Sequence, residues 1–250
     1  MFLTTVYTLI SVIVVGLLAL IGIVLFLFEE KVIRKVLLSF VSLSTGALLG
    51  DVFIHILPDL AENTETFSRS LLVVLGGILF SFILEKFIHW RHCHVLPSGE
   101  HHHHPMGIMN MAGETLHNFI DGLVIAAGYL ASPAIGLSTT LAVILHEIPH
   151  EVGNMAVLLH AGFGRKKALF FNFLSGVACL LGAILVLVFA QSSAGLADMM
   201  LPFAAGNLLY IAGSDLIPEL HKETRLPHGI VQFLCILAGM ALMYAMVLFE

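Results

Sequence analysis

His146-Glu147-Ile148-Pro149-His150-Glu151 interrupts the apolar run 135–160, and His117-Asn118-Phe119-Ile120-Asp121 interrupts the apolar run 107–130. Imidazole and carboxylate groups at bilayer depth are costly unless they face one another, water or a bound ion. The two strings therefore mark a site inside a membrane protein. Composition supports that setting: 58% of the 250 residues are hydrophobic and 11% are charged, with a mean hydropathy of +0.99. A soluble domain carries about 25% charged residues.

Outward from the two strings, apolar runs punctuated by Gly, Pro and charges predict spans near 2–28, 36–58, 70–90, 107–130, 135–160, 168–190, 201–218 and 229–249. These make an all-α membrane protein of eight transmembrane helices and one transporter domain over residues 1–250. The run from Phe2 reads as a first span and not as a removable signal peptide. Of the eleven Lys and Arg residues, Arg69 alone falls on one face of an eight-span arrangement. The other face, with Lys31, Arg34, Lys35, Lys86, Arg91, Arg165, Lys166, Lys167, Lys222 and Arg225, becomes the cytoplasmic one, placing both termini outside. Cys93, Cys179 and Cys235 are too few and scattered for a disulfide framework.

A weak internal symmetry joins two span ends, each closing on an aliphatic-Pro-acid tripeptide: Asp51 to Asp59, containing His55 and Pro58, and Gly213 to Glu219, containing Asp215 and Pro218. This predicts an inverted repeat of spans one to three and six to eight around the fourth and fifth.

At 3.6 residues per turn, His117 and Asp121 share one helical face, as do His146 and His150, with Glu147 and Glu151 on the adjacent stripe. Ser132-Pro133 makes the two helices antiparallel neighbours, so the faces can meet. Pro149 removes one backbone hydrogen bond, frees the carbonyl of Leu145 and predicts a kinked or broken helix. Mixed imidazole and carboxylate ligands suit Zn²⁺ and its neighbours Fe²⁺, Mn²⁺ and Cd²⁺, among which ligand type does not choose.

The two strings, with Gly122 after the first and Gly153-Asn154 after the second, resemble the ZIP (Zrt/Irt-like) family of metal-ion transporters, over essentially the whole chain. The His-Glu-x-Pro-His-Glu form, and span two from Gly46 to Asp51 followed by His55 and Pro58, are similar to one branch of that family. The resemblance implies eight helices and movement of divalent metal, zinc foremost, into the cytoplasm by alternating access. It implies a main site of His117, Asp121, His146 and His150, and an adjoining second site of Asn118, Asp121 and Glu147. It further suggests a homodimer in a bacterial cytoplasmic (inner) membrane, with metal ions and lipid as partners, no nucleic acid, no resident cofactor and no enzymatic step. Two departures stand out. Asn172, Ser175 and Cys179 occupy the stretch where other branches carry a Glu-Pro pair, and the chain is expected to be a minimal form without the long N-terminal domain of animal relatives.

A transport path would add Asp51, His55, Asp59, Glu151, Asp215, Glu219 and His221. The segment 91–106, with His92, His94, His101, His102, His103 and His104, reads as a cytoplasmic metal-binding loop. A different chemistry remains open, because His146-Glu147-Ile148-Pro149-His150 also satisfies the His-Glu-x-x-His pattern of zinc proteases, with Glu147 as general base.

Overall fold

A computed structural model describes residues 2–93, 104–190 and 194–249, and the described elements are all helical. Helix α1 (Phe2–Leu18) tightens into a 3₁₀ stretch, Ala19–Phe26. Helix α2 (Glu30–Gly50) passes through a π-helical turn, Asp51–Ile56, into the short α3 (Leu57–Glu62). Then come α4 (Thr64–Cys93), α5 (His104–Ala131), α6 (Pro133–His160) and α7 (Arg165–Ala190). Helix α8 (Ala194–Tyr210) repeats the π device at Ile211–Leu216 before α9 (Ile217–His221), and α10 (Leu226–Met246) ends the bundle.

The helix limits follow from local chemistry. Ser132 caps α6 by accepting the N–H of Ile135 at 3.1 Å, and Pro133 sits at the first turn, where no helical donor is needed. At the other end Gly162 adopts φ 88°. This left-handed residue allows the N–H of Phe163 to reach the Leu158 carbonyl and its own N–H to reach that of Leu159, which closes the helix. The two π turns end two residues before Pro58 and Pro218. Proline clashes with the carbonyl four residues back, and the wider i→i+5 turn relieves that crowding.

Six helical stretches among the described residues are long and apolar enough to cross a membrane: Phe2–Val24, Val36–Glu62, Thr64–Lys86, Arg165–Phe189, Met199–His221 and Leu226–Met246. The eight-span expectation is therefore corrected to six. Helices α5 and α6 have 28 residues each, about 42 Å at 1.5 Å per residue, but they are too polar to qualify. The physical reason is their position. The six apolar helices turn residues such as Leu72, Ile83, Phe170, Leu181, Phe233 and Leu234 outward, whereas α5 and α6 expose only Ile108 and Leu137 among their described large hydrophobic residues. A helix screened by its neighbours need not be apolar on every face.

The expected split into two three-helix repeats is likewise corrected. Helix α1 crosses α7 at Gly16 and Gly176, α2 crosses α10 at Gly46 and Gly239, and α4 crosses α8 at Gly77 and Gly206. Apolar helices from the first half of the chain thus pack against helices from the second, in one interleaved bundle. Small residues at these crossings let backbones meet without intervening side chains. Gly122 of α5 and Gly182 of α7 do the same, each abutting the opposite backbone, which seats the ligand-bearing α5 against its neighbour.

Candidate metal site

Antiparallel α5 and α6 bring four ligand atoms together. His117 Nε2 lies 3.1 Å from Glu147 Oε1 and 3.7 Å from Asp121 Oδ2, while His146 Nε2 lies 3.3 Å from Asp121 Oδ2 and 3.5 Å from Glu147 Oε1. One ligand atom from each of these residues falls within 4.8 Å of the other three. Asp121 and Glu147 are wholly buried and His146 is 1% exposed. His146 Nδ1 faces the Ala142 carbonyl at 3.3 Å. A carbonyl can only accept, so Nδ1 carries the proton and Nε2 keeps its lone pair toward the cluster.

The chemistry of this cluster is that of a cation site. Both oxygens of Asp121, Glu147 Oε2, Asn118 Oδ1 and His146 Nε2 are buried without a partner in hydrogen-bonding geometry. Leaving one such atom unsatisfied costs about 1–3 kcal/mol, and more for a charged group. One divalent cation would satisfy several of them at once, and two carboxylates would balance its charge.

His150 belongs to a second group, with Glu114 and Glu147. Its Nδ1 lies 3.3 Å from Glu114 Oε1, and its ring stacks on that of His117 with centroids 4.3 Å apart. Glu114 was not singled out by the sequence reading. The available signal was its spacing: it stands one turn before Asn118, whose Nδ2 donates to the Glu114 carbonyl at 3.1 Å and to Oε1 at 3.2 Å.

Other residues singled out from the sequence lie away from the cluster. Asp51 is buried and accepts from Thr139 Oγ1 at 2.8 Å, so it ties α2 to α6. His55 Nε2 pairs with the Met243 carbonyl at 2.9 Å. Glu151 points toward α7, accepting from Asn172 Nδ2 at 2.6 Å, in a buried polar chain that also links Asn172 to Asn154 and Asn154 to Asn110. Glu219 pairs with Lys222, and His221 is exposed. His94, His101, His102 and His103 lie outside the described residues, as do the side chains of His92 and His104. The expected break at Pro149 is absent, since α6 stays helical from Pro133 to His160. The freed Leu145 carbonyl instead receives Ser44 Oγ from α2 at 2.5 Å.

One cavity borders the cluster and another lies elsewhere in the bundle. One, of about 330 Å³, is lined by Glu114, His117, His150, Asn207, Tyr210 and Asp215. The other, of about 530 Å³, includes Asp59, Asn63, Arg69 and Ala127. Ile120, Leu123, Val124 and Met200 line an apolar cavity of about 300 Å³. The ligand cluster thus borders the Asp215 cavity directly, while Asp59 lines the other.

The ZIP zinc transporter family profile matches residues 2–107 and 98–247. The chain is 38% identical over 231 residues to zinc transporter ZIP13 of Pongo abelii, covering 86% of this chain and 67% of that protein. It is 34% identical over 267 residues to zinc transporter ZIP13 of Homo sapiens, covering 86% and 71%. With the zinc transporter ZIP13 homolog of Drosophila melanogaster it shares 31% identity over 318 residues, covering 98% and 90%. A membrane-embedded helical bundle, a buried His/carboxylate cluster suited to a divalent metal and matches of this extent agree: the chain belongs to the ZIP zinc transporter family.

Proposed function

We propose that this protein carries divalent metal ions, zinc foremost, across a lipid bilayer, and that His117, Asp121, His146 and Glu147 hold the ion in transit. The observation that carries this reading is the set of buried lone pairs on two polar helices enclosed by apolar ones. Asn118 adds a carbonyl oxygen to the same buried set. The ion would be drawn in past Asp59, held at the cluster, and released through the cavity bearing Asp215 toward Glu219 and His221. The cavity lined by His117 gives the site access from one side, and alternating access rests on the family resemblance.

The protease reading is weaker. It needs His146 and His150 as joint ligands with Glu147 free as a base, yet these histidines fall in different groups and Glu147 belongs to both. Movement into the cytoplasm fits the gathering of Lys86, Arg165, Lys166, Lys167, Lys222 and Arg225 at helix ends, which marks a cytoplasmic face. That orientation leaves both termini outside. A bacterial inner membrane and a homodimer rest on the family resemblance. Uptake of radiolabelled Zn²⁺ into proteoliposomes tests the transport reading, with His146→Ala as control. Wild-type flux no greater than that of empty liposomes would sink it.

A further inference from the structure

Two of the cavities form one crevice. The cavity of about 530 Å³ that includes Asp59 and Arg69 and the apolar cavity of about 300 Å³ share Val73 of α4 and Met199 of α8. Three helices rank the two in the same order of depth. Helices α4 and α8 run parallel, since Gly77 abuts Phe203 and Gly206, Ser81 receives Asn207, and Glu85 receives Tyr210. Along α4 the lining passes from Arg69 and Ser70 to Val73, and along α8 from Met199 to Phe203 and Ala204. Along α5, running the other way, it passes from Ala131 and Ala127 to Val124 and Ile120, a depth of about 16 Å. The mouth of the crevice is polar and its floor is lined only by apolar side chains.

We propose that this crevice holds one zwitterionic glycerophospholipid, with its phosphate on Arg69, its ammonium toward Asp59 and one acyl chain in the apolar cavity between α4, α5 and α8.

The floor calls for hydrocarbon. A cavity lined by apolar groups stays dry, and the rim of this one opens on the lipid-facing surface, where Met199 is 38% exposed and Leu72, beside Val73, is 69% exposed. Charge selects the headgroup. The mouth carries one guanidinium and one carboxylate, with Thr66 and Ser70 beside Arg69. A phosphodiester presents the paired oxygens that a guanidinium fork binds, and the carboxylate answers a headgroup ammonium. Inorganic phosphate would leave the carboxylate and the apolar floor unmatched, and a fatty acid would leave the carboxylate unmatched.

Packing gives the lipid a role. Gly122 and Gly182 seat α5 on α7 backbone to backbone, whereas α5 faces α4 and α8 across the crevice. An acyl chain would complete that second contact against Ile120, which also lines the Asp215 cavity and precedes Asp121 in the chain. Lipid and transported ion would then occupy different cavities in this state.

The test is photolabelling of the full chain in detergent micelles with a phosphatidylethanolamine that carries a diazirine on one acyl chain, mapped by mass spectrometry. Label should concentrate on residues 120–124 and 199–204 and be displaced by unlabelled phosphatidylethanolamine, but not by equal concentrations of oleate or inorganic phosphate. Arg69→Gln should lower crevice labelling by about tenfold, while labelling of the lipid-facing α10 at Phe233 and Leu234 stays unchanged. Met199→Trp, which narrows the rim without altering a charge, should lower it as well and keeps the test decisive if Arg69→Gln does not fold. Crevice labelling no stronger than that of α10, labelling indifferent to Arg69→Gln, or displacement by oleate or inorganic phosphate equal to that by the phospholipid would each overturn the proposal. None of these readouts depends on metal flux.

Discussion

Ser44 Oγ lies 2.5 Å from the carbonyl oxygen of Leu145, the acceptor that Pro149 deprives of its helical donor. The same hydroxyl lies 2.6 Å from the Phe40 carbonyl, but it has one proton to give. Helix α2 thus sets a hydroxyl against the carbonyl that Pro149 frees on the helix that carries half of the ligands.

Ser44→Ala should lower stability by about 1 kcal/mol, the net worth of one such bond. In a Pro149→Ala background the penalty should shrink, because residue 149 then supplies an N–H to Leu145. Thermal unfolding of the single and double variants in detergent measures this. Equal penalties in both backgrounds would assign the Ser44 proton to Phe40.

Asp121 and Glu151 are both buried acids on the ligand helices, yet they should behave oppositely. Asp121→Asn removes one of two charges facing the ion and should weaken Zn²⁺ binding by about a hundredfold or more. Glu151→Gln alters a group already engaged by Asn172 and should leave affinity within about threefold. Calorimetric titration of the purified variants distinguishes the two.

Acid should inhibit uptake. In the metal-free site His117 Nε2 and Glu147 Oε1 lie 3.1 Å apart with a proton shared between them, and a metal ion must replace that proton. Lower pH favours the proton, so flux at matched free metal should fall from pH 8 toward pH 5. Glu223 does not contribute to that fall. The side-chain hydrogen bond from Arg225 is the main force holding its carboxyl down to about 2, so their pairing, complete above the ordinary value of 4.5, is lost only as pH approaches 2. A flat flux profile between pH 5 and 8 would count against histidine ligation.

Gly182→Val should be more damaging than its size suggests. A Cβ there meets the Phe119 backbone, which cannot rotate aside as a side chain could. Overpacking of this kind costs about 1–3 kcal/mol and would push α5 away from α7. Gly153→Val, with open space around it, is the matched control. Comparable melting temperatures for the two variants would refute the account.

Deleting residues 92–104 should leave flux largely intact while altering its response to metal load, if that His-rich segment captures or senses metal rather than conducting it. Complete loss of uptake by a correctly inserted deletion would exclude this role.

Much of the ligand cluster was legible because helical periodicity is simple geometry. Four residues separate His117 from Asp121, and Ser132-Pro133 announces a cap and therefore an antiparallel return. Less legible was which neighbour each side chain would meet. His146 and His150 share a face, yet one turn of rise carries His150 to Glu114, across from it on α5, and only the packed pair of helices reveals that. Glu151 has the same composition as Glu147 but faces Asn172, a partner fixed by α7. The span count failed for a related reason: hydropathy reports what a helix would tolerate in lipid, whereas α5 and α6 are surrounded mainly by protein.

The enclosure of α5 and α6 has a consequence for how the chain is made. Both emerge from the ribosome before α7 and α8, which form part of their eventual wall. Charged residues near the centre of an inserting helix are opposed by about 2.5–3.5 kcal/mol each on the biological scale. With Glu114, Asp121, Glu147 and Glu151 among them, these two helices lack the apolarity to settle in lipid alone. Their final seating waits for Gly182 to arrive opposite Phe119, so biogenesis of the metal site is completed by a segment that carries none of its ligands.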